Sequence, residues 1–201
     1  MVVAVPLRLG DDGSSHDGTD TSMSNREERL TMNRRIALAI PDLDVTASVR
    51  MLTDLAPRTC EAIWQVLEEP VERRLIHTTV TGSVVFFYNF PPLPGARDLP
   101  LENHTIYPKA GEILYFYQPW NGMRGLADHD PSWRNPHDDV HELFFAYGEA
   151  NLRMPTEDGW RGSVWGVIDE GLDAFAAACR WMRMEGTKRI ILSRQPDERH
   201  P

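Results

Sequence analysis

Two ionisable side chains sit in apolar, strand-like runs where they could do chemistry. His77 lies inside the run from Arg74 to Val80, RLIHTTV, and Glu142 opens the run ELFFAYG that ends at Gly148. An imidazole titrates near neutrality and suits general acid–base work, and a carboxyl at a strand end can act as its acid or charge partner. His77 and Glu142 are therefore the candidate catalytic residues. Each also has a plainer reading: a core histidine bonded to a carbonyl, and a solvated strand end. Tyr115 and Tyr117 share a strand face and offer two hydroxyls; an aromatic core with one wet edge explains them equally well. Strand alternation sends Glu142 and Tyr147 to opposite faces, so those two do not line one pocket unless a bulge intervenes.

Metal chemistry has one candidate. His137 and His141 stand four apart in HDDVHE, with Asp138, Asp139, Glu142 and upstream His129 nearby. On a helix that spacing places both imidazoles on one side, as zinc requires. Asn135-Pro136 precedes the segment, however, and a strand follows at once, leaving less than two helical turns. No glutamate follows the first histidine in the HExxH manner. The segment reads as a solvated acidic loop and the expectation is no metal. There is no GxSxG and no glycine-rich phosphate loop, and no redox cofactor is implied, so none is expected. Cys60 and Cys179 fall on apolar helix stripes and read as buried reduced thiols, without a CxxC or a disulfide framework.

The 21 Lys and Arg against 30 Asp and Glu leave a net charge of −9. That balance argues against nucleic acid or an anionic membrane as the main partner. No apolar run approaches the ~20 residues of a membrane span, and residues 1–7 are too short for a signal peptide. The expected compartment is the cytoplasm.

These side chains need elements to hold them, and the clearest lie between Arg34 and Leu67. Ile36, Leu38 and Ile40 recur at every second position, Pro41 to Asp44 supplies a turn, and Val45, Ala47 and Val49 alternate again. Pro57 suits a first helical position, and Cys60, Ile63, Trp64 and Leu67 form an i, i+3, i+4, i+7 stripe that Pro70 ends. Strands follow at 74–80 and 83–88. A pair at 101–107 and 112–117 is read as joined through Pro108 to Gly111, with further strands at 142–147 and 163–168. A second helix carries Leu172, Phe175, Ala176 and Cys179 and closes at Gly186; Lys188 to Ser193 is the last strand. Between them, 118–140 lacks periodicity and holds Trp120, His129, Trp133 and His137, the kind of long loop that is usually functional. Seven or eight short strands with two helices predict a mostly antiparallel closed barrel capped by helices. The expected domains are a disordered arm (1–32), the barrel (33–194) and a short flexible tail (195–201).

Two stretches carry a family likeness. Met51 to Ala62, with its Ala-Pro-Arg-Thr helix start, resembles the hairpin-to-helix segment of cyclophilins. Trp165 to Asp173 resembles the aromatic-Gly-x-Val-x-x-Gly segment before their second helix, and Lys188-Arg189-Ile190-Ile191 sits where their closing strand does. The likeness covers about half of 33–194. An uncharacterised bacterial family with a cyclophilin-like barrel fits better still, sharing the aromatic strand after Pro108-Lys109-Ala110-Gly111 and the Ala146-Tyr147-Gly148 strand end. The resemblance implies a cyclophilin-like barrel. It does not imply prolyl isomerase activity: the early His-Arg of cyclophilins is His77-Thr78 here, their Gln-Gly-Gly-Asp is absent, and Thr supplies no charge to a twisted amide.

Together these readings point to a small polar organic molecule bound in a groove lined by aromatics, with Tyr115, Tyr117 and Trp165 as ligand-binding residues. The expected chemistry is cofactor-independent acid–base catalysis: isomerisation, cyclisation or ring opening. At fold level this is similar to cucumopine synthase, which closes a ring on an amino-acid-derived imine. The alternative is a non-catalytic ligand-binding or partner-docking module, and a homo-oligomer is compatible with either. An enzyme needs two ionisable groups converging on one cavity, whereas a binder needs only the aromatics.

Overall fold

The structure is a computed structural model that describes residues 34–119, 139–153 and 160–196. The arm at 1–32, His129 and His137, and most of the 118–140 loop lie outside that range. Eight strands close on themselves: β1 (Arg35–Ile40), β2 (Val45–Met51), β3 (Val71–His77), β4 (Gly82–Phe87), β6 (Glu112–Gln118), β7 (Val140–Ala150), β8 (Gly162–Glu170) and β9 (Lys188–Arg194). Their order is β2-β1-β9-β3-β4-β7-β6-β8, and β8 pairs back onto β2 to shut the barrel. Every neighbouring pair is antiparallel. Closure removes the edges that an open sheet would expose.

Period-two alternation decides what faces in. Ile36, Leu38 and Ile40 of β1, Ile113 and Tyr115 of β6, and Leu143 and Phe145 of β7 belong to one buried cluster that fills the barrel. Leu114 and Phe116, Phe144 and Ala146, Val84 and Phe86 form a second cluster on the outer side of β4, β6, β7 and β8. Trp160 packs against it, 5.5 Å from Phe144 and 6.3 Å from Phe116 between ring centroids. This sheet is thus apolar on both faces along one side of the barrel.

Helix α1 (Pro57–Val66) buries Cys60 and Ile63, and α2 (Leu172–Arg180) buries Phe175 and Cys179. A short turn, α3 (Met182–Glu185), ends at Gly186. One expected pairing is corrected. The strand read at 101–107 shrinks to β5 (His104–Thr105), which pairs with β8 rather than β6. Both edges of β6 are already taken by β7 and β8, so no ladder is left for it. The strand read at 74–80 instead spans Val71–His77, because the Thr78 N–H already turns back to Val84 O. Gln195, assigned to the tail, is tied in by its N–H to Arg35 O and by an Oε1 that accepts from Ser48.

Candidate functional site

Antiparallel pairing all round means that β1, β3, β7 and β8 begin at the end where β2, β4, β6 and β9 finish. Helix α1 sits at that end. Its Cys60 Sγ–H donates to Trp165 O, and the guanidinium groups of Arg34 and Arg194 both lie over the Trp64 ring. The segment after β4 crosses the same end, with a single 3-10 turn at Ala96–Asp98. Between this segment, α1 and the last residues of β6 lies an open cavity of about 410 Å³, within the range of small-molecule sites.

Several polar side chains line that cavity. Tyr115 and Tyr117 reach it from β6, Arg161 and Ser163 from the start of β8, Arg97 from the crossing segment, and Thr59 from α1. The Tyr115 hydroxyl lies 2.8 Å from Nδ1 of His141, the inward residue at the start of β7. The Tyr117 hydroxyl donates to Asp139 at 2.7 Å, and Arg97 donates to both Asp139 and Tyr117. Glu102 holds the crossing segment to α1: its carboxylate accepts from the Arg58 and Thr59 N–H groups and from the Thr59 hydroxyl. A carboxylate there satisfies otherwise orphaned donors of the first helical turn.

Burial tunes the pair. It pushes the Tyr115 hydroxyl above the ordinary phenol range, with the Tyr117 and Asp139 charges adding in the same direction. It holds His141 below the ordinary imidazole range, which Asp139 partly offsets. His141 is therefore neutral at neutral pH, with a lone pair available.

Tyr115 and Tyr117 thus line one cavity, and the other sequence candidates lie elsewhere. The Trp165 ring is fully buried in the barrel core rather than in the cavity wall; the residue is the extra one where the β6–β8 register shifts. His77 sits at the α2 end. Its Nδ1 is 2.5 Å from Thr78 O and its Nε2 2.6 Å from the Tyr147 hydroxyl. A carbonyl can only accept, so Nδ1 carries a proton and donates it to Thr78 O. Glu142 lies opposite Phe116 on the outward-facing register, 1% exposed, with Oε1 unpartnered. Burial pushes its carboxyl up to about 8. His77 faces the opposite end, inward with Val85, so the two candidate catalytic groups do not converge.

Reading the sequence alone missed Arg97, Arg161, Ser163 and the role of His141. Alternation could have found the last, since His141 shares the parity of Leu143 and Phe145. Nothing local marks Arg97, which is fixed only by tertiary contacts. Among the described residues no three His, Cys, Asp or Glu groups cluster as a metal site would need, and no helix is long and apolar enough to cross a membrane.

Residues 38–194 match the model of a family described as Protein of unknown function (DUF3830). Curated proteins give no match. Among solved structures, the chain is similar to McbB in complex with tryptophan, at a TM-score of 0.53 and 13% identity. The match covers 83% of this chain and 46% of that one, so the chain spans about half the length of this neighbour. At that identity the likeness is one of fold.

Proposed function

This chain belongs to the DUF3830 family, and we propose that its barrel mouth binds a small polar organic molecule and moves a proton on it without a cofactor. The observation that carries this is the 2.8 Å contact between Tyr115 and His141 on the wall of an open cavity. Burial disfavours a free Tyr115 phenolate, so the phenol does not act alone. It acts as a relay. With Nδ1 accepting the phenol proton, the Tyr115 oxygen turns its lone pairs to the cavity. As a substrate X–H or C–H bond gives its proton to that oxygen, the phenol proton passes to Nδ1, and His141 carries the positive charge. Asp139 stabilises that charge, and Arg97 and Tyr117 fix Asp139 in place. Return of the proton at another atom of the substrate completes an isomerisation, cyclisation or ring opening. The fold neighbour McbB is described in complex with tryptophan, itself a small organic molecule.

The test is to incubate the wild type with a library of small polar metabolites and follow each compound by mass spectrometry and NMR. At least one compound is expected to be converted, with Tyr115→Phe slower by ~10²-fold or more and the fold unchanged by circular dichroism. Conversion at the wild-type rate in Tyr115→Phe, or binding with no conversion of any compound, overturns the catalytic reading. The latter outcome would make the barrel a ligand-binding module.

A further inference from the structure

The two carboxylates beside the cavity are already engaged, whereas a guanidinium on its wall is not, among the described residues. The Asp139 carboxylate at its edge receives Arg97 and Tyr117. The Glu102 carboxylate receives Arg58 N, Thr59 N and the Thr59 hydroxyl. The donors are different. Arg161 is exposed at the cavity and has no ion pair or hydrogen bond among the described residues. Ser163, two residues on, is buried; its Oγ accepts from Glu102 N, so its own O–H is left to donate. A guanidinium presents a planar fork of donors that matches a carboxylate, and a hydroxyl beside it adds a further donor. The cavity rim around them is apolar at Leu99 and Leu101.

We infer that the ligand of the barrel mouth is a small organic monocarboxylate, its carboxylate received by Arg161 and Ser163 and its apolar body laid along the segment that crosses the mouth. This rests on the proposed function of the barrel mouth and adds the substrate class to it. Among the described residues Arg97 is paired with Asp139, so Arg161 is the lining cation left without an ion pair. With the carboxylate anchored on β8, the carbon skeleton is directed to the neighbouring strand β6, where the Tyr115 hydroxyl stands.

The experiment uses the full chain and matched probes: pentanoate and 3-phenylpropanoate, the two corresponding amides, and inorganic phosphate, titrated by calorimetry and ligand-observed NMR. At least one carboxylate is expected to bind tenfold or more tighter than its amide. Arg161→Gln is expected to erase that preference without changing the melting temperature, because the side chain has no partner to lose among the described residues. Tyr115→Phe is expected to keep the preference. Equal binding of acid and amide, a preference that survives Arg161→Gln, or phosphate binding tighter than either carboxylate overturns the substrate class but leaves the cavity reading standing if Tyr115→Phe alters affinity. Failure of every carboxylate to bind overturns it too. An Arg161-dependent carboxylate preference, with turnover unaffected in Tyr115→Phe, would uphold the ligand class and sink the proton relay.

Discussion

His141 and Glu142 are neighbours in sequence, and their side chains lie on opposite sides of the barrel wall. The imidazole turns inward, 2.8 Å from the Tyr115 hydroxyl. The carboxyl turns outward opposite Phe116, where its Oε1 finds no partner. One register position separates a group that meets a tyrosine of the cavity wall from one that burial keeps protonated. Both are perturbed by the same cause, loss of water, and in both it favours the neutral form.

That burial makes Glu142 a source of pH-dependent stability. Its folded value, about 8, lies above the ordinary carboxyl value of 4.5. Between those limits the native state holds a proton that the unfolded chain has released, so stability falls as pH rises from about 4.5 to about 8 and is flat above. Glu142→Gln removes this component. The melting temperature of the wild type is expected to drop between pH 5 and pH 8.5 by several degrees more than that of the variant. Parallel curves would show that the carboxyl is solvated.

His77 is expected to matter for stability and not for the ligand. His77→Asn removes the ring that links Thr78 O to the Tyr147 hydroxyl. The loss should be ~1–2 kcal/mol, since Thr78 is buried while the half-buried Tyr147 hydroxyl regains some water. Affinity at the barrel mouth should be unchanged, because the ring stands at the other end. Chemical denaturation and ligand titration of the same sample check both, and weakened binding would return His77 to the site.

Glu102→Ala takes the carboxylate from the first turn of α1 and frees the segment that crosses the cavity. Loss of a capping group of this kind costs ~1–2 kcal/mol. Amide exchange at Arg58 and Thr59 should quicken, since Glu102 is the acceptor of both N–H groups. Unchanged exchange would mean that another group holds the helix start.

Gly162 opens β8 beside the cavity, where a Cβ would stand 2.6 Å from Phe116 Cζ and 2.9 Å from Leu114 Cβ. The ring end can swing, but the Leu114 Cβ is fixed to the neighbouring strand. Gly162→Ala is expected to destabilise by ~1–3 kcal/mol through overpacking. Urea denaturation measures it, and a neutral result would show that the start of β8 can drift outward.

Much of the fold was legible because its signals are local. The alternation of Ile36, Leu38 and Ile40 and the stripe of Cys60, Ile63 and Leu67 each express a repeat within one element, and those residues are buried as expected. The parity argument for Glu142 and Tyr147 held for the same reason, since Tyr147 packs against the inner cluster while Glu142 pairs with outward Phe116. Pairing was not local. The strand expected beside β6 lost its place because β7 and β8 occupy both edges of β6.

The sequence by itself determined most of the strands, the two main helices and much of the core, and hence a closed barrel with two helices, because period two and period 3.6 are written in neighbouring side chains. Only the tertiary structure decided what meets at the mouth. Arg97, Tyr115, His141 and Arg161 come from a loop, two strands and the residue that leads into a third. They are brought to one end by antiparallel closure, a relation among strand ends that no window of sequence contains. The same closure sent His77 to the far end and Glu142 outside, since the end and face that a side chain occupies depend on which partners its strand takes.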